Sequence, residues 1–182
     1  MTMKRKLKVV FGIWHPAHAH LFNNLIKDLI KEGHDVLVLA REKDITLDII
    51  RSLKIKFKTI SPHKKSFISK FLNFFVRWFE TYSVCIKFNP DFAFGVGDLY
   101  FSQISKLLNF KSIVLTDTEH VKLDRYLVFP FADLIVTPDC FRDLNNKKQV
   151  KYNGYHELAY LHTDYFNSES SIFEHLNLSK ND

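Results

Sequence analysis

Only two cysteines occur in 182 residues, and Cys85 and Cys140 stand far apart, with no CxxC pair and no His/Cys spacing typical of zinc. A disulfide framework is therefore not expected, and a reducing, intracellular compartment is the simplest setting. No apolar run is long enough to span a bilayer. The basic residues and apolar run at the N-terminus imitate a signal peptide, yet Leu7 to Trp14 contains a lysine, lacks a small-residue cleavage site and leads directly into a helix pattern. It reads as a first β-strand. Internal repeats, low-complexity segments and nucleic-acid-binding motifs are all missing. These absences predict a cytoplasmic protein, at most attached to a membrane surface, that binds no nucleic acid.

What the chain does have is basic charge and phenylalanine. A net charge of +6 and a pI near 9.2 favour anionic company such as phosphates or anionic lipids. The lysines are dispersed rather than gathered into a nucleic-acid patch.

Strand-like and helix-like segments alternate from end to end. Strands are predicted at Lys8–Ile13, Asp35–Leu39, Lys56–Ile60, Phe92–Val96, Ser112–Leu115, Leu134–Val136 and Lys151–Tyr152. Helical periodicity covers His20–Lys31, Ile45–Leu53, Ser66–Phe88, Tyr100–Leu108 and Val121–Phe129. Single helices between strands imply right-handed crossovers and a mostly parallel, doubly wound sheet of Rossmann type. One domain is predicted over residues 1–166, and the polar segment 167–182 reads as a linker. The helix from Ser66 to Phe88 carries a broad apolar face flanked by lysines, which suits either a core helix or a membrane-surface patch.

In such a sheet, ligands bind beyond the carboxyl ends of the strands, where the strand order reverses. The loops after the first, fourth and fifth strands should meet there. They hold His15, His18 and His20; Gly97 and Asp98; and Asp117, Glu119 and His120. Arg41, just beyond the second strand, is a further candidate for binding substrate. The histidines of WHPAHAH invite a metal reading, but the HExxH spacing is absent, and neither metal nor cofactor is expected. His18 suits a general base, its tautomer fixed by a carboxylate. His20 can equally cap or pack against the helix start. Asp98 can serve as an N-cap and still face the crevice. Gly95-Val96-Gly97 follows the fourth strand, so it is a tight turn rather than a dinucleotide fingerprint.

Several segments together resemble a family of roughly 350-residue archaeal and bacterial proteins, a domain of unknown function. They are HPAHAHLF (His15–Phe22), EGHDVLVLAREKDITLDII (Glu32–Ile50), KFNPDFAFGVG (Lys87–Gly97), LTDTEH (Leu115–His120), VFPFADLIVTP (Val128–Pro138) and KYNGYHELAYLHTDYF (Lys151–Phe166). That family is related to GT-B glycosyltransferases and to non-hydrolysing UDP-N-acetylglucosamine 2-epimerases. The resemblance implies the N-terminal domain of a GT-B fold, with a second Rossmann domain for the nucleotide sugar absent or on a separate chain. It further implies an acceptor-side role in surface polysaccharide or glycoconjugate synthesis, with no activity expected alone. A sugar or lipid-linked acceptor follows as a partner, while a peripheral membrane contact rests on the Phe-rich helix described above. His18 would be the base, Asp98 or Asp117 its partner, and Glu119 a contact to sugar or acceptor; His15, His20, Gly97, His120 and Arg41 would line the site. Two alternatives remain: a non-catalytic subunit of a split glycosyltransferase, and half of a nucleotide-sugar 2-epimerase. Gly12 and His15 depart from the Asp and Asn expected of the family. An acidic position expected near Asp124 has no clear match, which counts against epimerisation.

Overall fold

A computed structural model describes residues 5–42, 45–60, 67–119 and 122–166. Seven strands form a wholly parallel sheet: β1 (Lys8–Ile13), β2 (Asp35–Arg41), β3 (Lys58–Ile60), β4 (Phe92–Val96), β5 (Lys111–Leu115), β6 (Leu134–Pro138) and β7 (Gln149–Tyr152). Their spatial order is β3-β2-β1-β4-β5-β6-β7, so the direction of winding reverses between β1 and β4. The helices are α1 (Pro16–Lys31), α2 (Thr46–Ser52), α3 (Phe67–Phe88), α4 (Leu99–Leu108), α5 (Lys122–Leu127) and α6 (Leu158–Leu161).

The period-2 alternation of β1 sorts the core into two layers. Val9, Phe11 and Ile13 pack with Phe22 and Ile26 of α1 and Ile50 of α2. Val10 faces the other way, against Val84 and Cys85 of α3 and Phe101 and Ile104 of α4. Both faces of β1 are dry, as a central parallel strand requires.

The first helix begins four residues earlier than the pattern of its apolar residues suggests. His15 caps it, its Nδ1 accepting from the backbone N–H of Ala17 at 3.3 Å, and Pro16 enters at the first turn, where it sacrifices no hydrogen bond. His18 and His20 therefore sit on the first turns of α1 rather than in a loop. Their polar side chains hid the helix start from a reading based on apolar spacing. The predicted strand at Lys151–Tyr152 extends back to Gln149 and pairs in parallel with β6. The predicted linker 167–182 lies outside the described residues.

The long helix α3 is divided between the two readings of its apolar face. Val84 and Cys85 are buried, while Phe75, Val76, Phe79 and Ile86 are exposed. No helix among the described residues is long and apolar enough to cross a membrane.

Candidate functional site

Because all seven strands run the same way, the segments that follow them gather at one edge of the sheet. Gly12 of β1 and Gly95 of β4 are register partners beside the winding reversal. A Cβ on Gly12 would come 2.5 Å from Oδ2 of Asp98, and one on Gly95 would collide with Asp98 Cβ. The missing side chains are the space that Asp98 occupies. This accounts for glycine at position 12: an aspartate there could not coexist with Asp98 as placed.

Asp98 is 1% exposed. Its Oδ1 accepts the Phe101 N–H at 2.9 Å and caps α4, while its Oδ2 accepts the Trp14 indole N–H at 2.6 Å. Burial pushes its pKa up to about 6, held back by the bonds from Phe101, Trp14 and Tyr100. Both oxygens are engaged by these donors, so Asp98 works as a buttress for Trp14 and α4 and is not in contact with His18.

Nδ1 of His18 accepts the backbone N–H of Trp14 at 3.4 Å. Burial, then the neighbouring His15 and His156, pull its pKa down to about 4, against the opposing pull of Asp117 and a backbone bond with Gly12. The ring is therefore neutral at physiological pH. The ring of His15 lies 5.8 Å from that of His18, and His20 packs its ring 5.4 Å from Tyr160 of α6.

Asp117, just beyond β5, turns to a residue that the sequence reading did not single out. Its Oδ2 lies 3.1 Å from Nδ1 of His156, and its Oδ1 accepts from the Thr118 hydroxyl at 3.0 Å. His156 follows β7 and is 8% exposed, its ring stacked on Tyr152 at 6.1 Å. It shares a cavity of about 330 Å³ with Leu21, Leu115, Val136, Tyr152 and Tyr155. Applying the carboxyl-edge rule to the seventh strand as well as the first, fourth and fifth would have found it.

The remaining candidates are more scattered. Glu119 accepts the Arg142 N–H at 2.8 Å, and its carbonyl accepts from the Arg142 guanidinium at 3.1 Å, so it anchors the stretch between β6 and β7. Gly97 has a left-handed φ of 53°, and a Cβ there would lie 3.1 Å from Asp124 Oδ2. Burial raises the pKa of Asp124. Arg41 sits with the buried Arg77 in the surroundings of Tyr100, whose pKa burial raises and both arginines lower. His120 lies outside the described residues. No cluster of three or more metal-ligating side chains occurs among the described residues.

Residues 7–182 match the family described as "Protein of unknown function (DUF354)". The chain belongs to that family. A relative, the uncharacterized protein MJ0665 of Methanocaldococcus jannaschii, is 22% identical over 158 residues, spanning 84% of this chain and 46% of the relative. Among solved structures, the S. aureus MnaA–UDP complex superimposes with a TM-score of 0.65 at 14% identity, covering 94% of this chain and 51% of that one. Spinosyn forosaminyltransferase SpnP gives 0.60 at 10% identity, covering 82% and 51%. A UDP-N-acetylglucosamine 2-epimerase gives 0.58 at 17% identity, covering 73% and 42%. These likenesses establish the DUF354 chain as a Rossmann-like domain of the GT-B type. It spans about half the length of the proteins it matches.

Proposed function

We propose that this DUF354 chain is the acceptor-side half of a GT-B-type glycosyltransferase-like protein of surface polysaccharide or glycoconjugate synthesis. A donor-binding half would supply the nucleotide-sugar site, and the chain alone would be inactive. The observation that carries this reading is the cluster of His15, His18, Asp117 and His156 at the carboxyl edge, next to the winding reversal. That is where an open α/β sheet offers a crevice, and imidazoles with a carboxylate are equipped to handle the proton of an acceptor hydroxyl. The nucleotide in the MnaA–UDP complex and the sugar transfer named for SpnP support a nucleotide-sugar donor. Trp14, Asp98 and the two glycines would hold the crevice in shape.

The acceptor is proposed to be a sugar or a lipid-linked sugar. Exposed Phe75, Val76, Phe79 and Ile86 on α3, with Lys87 beside them and Lys58 across the groove, fit contact with an anionic lipid surface.

The test is release of nucleoside diphosphate from UDP- and dTDP-sugars, measured with this chain together with its donor-binding half. Turnover that needs both halves and falls on Asp117→Ala supports the reading; turnover unchanged by Asp117→Ala refutes it. Solvent-deuterium incorporation at sugar C2 without transfer would instead favour the epimerase alternative, which the 2-epimerase likeness keeps in view.

A further inference from the structure

A neutral imidazole carries one proton, and the partner of one ring nitrogen decides what the other can do. The His18 ring bonds to the backbone at the end of β1, accepting the Trp14 N–H on Nδ1 and bonding to Gly12 as well, so its hydrogen-bonding capacity is taken up by the protein. Nδ1 of His156 faces a carboxylate at 3.1 Å, which can accept but not donate, so its ring proton lies on Nδ1 and its lone pair on Nε2.

That Nε2 is buried without a hydrogen-bond partner among the described residues, and so is the phenolic oxygen of Tyr152, whose ring stacks on the imidazole at an interplanar angle of 12°. Buried polar atoms are nearly always paired. The orphans here are complementary, an imidazole acceptor beside a phenol that can donate. Burial pushes the Tyr152 pKa up to about 12, so the phenol keeps its proton. Both residues line the same cavity, where the hydroxyls of a ligand could supply the missing partners.

We infer that His156, oriented by Asp117, is the proton acceptor of this crevice for a hydroxyl-bearing substrate, with the Tyr152 phenol a second polar contact for that substrate. The assignment rests on the reading given under the proposed function. In the transfer, the hydroxyl oxygen forms a bond to the anomeric carbon of the nucleoside-diphosphate sugar. Its proton passes to His156 Nε2, and the anomeric C–O bond breaks with its electron pair leaving on the diphosphate. Asp117 then faces an imidazolium, which it stabilises; the proton later passes to solvent. His18, buried and flanked by two other imidazoles, resists a second proton and stays out of the transfer.

Side-chain ¹⁵N NMR of the histidines in the 182-residue chain reads the His156 tautomer without any substrate. Near neutral pH, His156 should show the proton on Nδ1. Asp117→Ala should convert His156 to a majority of the Nε2–H form and leave His18 unchanged. A wild-type His156 with its proton on Nε2, or one indifferent to Asp117→Ala, overturns the assignment. With the donor-binding half present, His156→Gln should cut turnover on the order of 10²–10⁴-fold. Tyr152→Phe should raise KM more than it lowers kcat, and His18→Gln should do less harm than His156→Gln. The reverse order of the two glutamine variants also overturns it. A His156 tautomer as assigned, without turnover of any nucleotide sugar, would refute the sugar-transfer reading and leave His156 as acceptor for a different hydroxyl substrate.

Discussion

The indole N–H of Trp14 donates to Oδ2 of Asp98 at 2.6 Å, tying the end of β1 to the start of α4 across the point where the sheet reverses its winding. Trp14 also gives its backbone N–H to His18. One residue thus links the buried carboxylate to the crevice histidine, though the two never touch.

Trp14→Phe keeps the aromatic packing against Tyr100 and Phe101 but leaves a buried carboxylate oxygen without its donor. The expected cost is about 1–3 kcal/mol in urea unfolding. Asp98 should then titrate higher still, because a hydrogen bond that favours its charged form is gone.

Stability against pH should show two opposing effects in one window. Asp98 has its folded pKa raised from 3.8 to about 6, so the folded state holds the extra proton and stability falls as pH rises from about 4 to 6. His18 has its folded pKa lowered from 6.5 to about 4, so the unfolded state holds the extra proton and stability rises over nearly the same range. Each amounts to about 3 kcal/mol, and together they largely cancel. His18→Gln should unmask the fall with rising pH and Asp98→Asn the rise, both read as urea midpoints between about pH 4 and 6.5. Identical pH profiles for the two variants would show that neither shift is real.

Gly95→Ala should destabilise by about 1–3 kcal/mol, since its Cβ has no space beside Asp98 Cβ. Adding Asp98→Ala should not relieve the clash, because alanine keeps the offending Cβ. Thermal unfolding of the single and double variants checks this.

Phe75→Ser combined with Phe79→Ser should weaken co-sedimentation with phosphatidylglycerol vesicles and leave the fold intact, as both side chains are exposed. Salt should weaken the binding of the parent chain as well, since lysines supply part of the attraction. Equal binding to neutral phosphatidylcholine vesicles would show that the lysines contribute no attraction to the lipid surface.

The sheet was legible in the sequence because its strands are short apolar runs set apart by helical spacing, and the parallel order follows from the crossovers. The carboxyl-edge rule brought His15, His18, Asp98 and Asp117 to one region for the same reason. Their roles were not legible. Asp98 looked like a partner for His18, yet its choice of Trp14 depends on the room left by Gly12 and Gly95, which only the register of β1 against β4 reveals. Asp117 chooses His156, a residue 39 positions later, because β7 completes the sheet beside β6 and returns the chain to the same edge. Sequence proximity pointed to the histidines of α1, and strand order selected a different one.

The most direct test of the account is the release of UDP from a UDP-sugar by this chain joined with its donor-binding half, compared with the Asp117→Ala variant of the same pair. Release should require both halves and drop on the order of 10²-fold or more in the variant. Release at an undiminished rate from Asp117→Ala would contradict it.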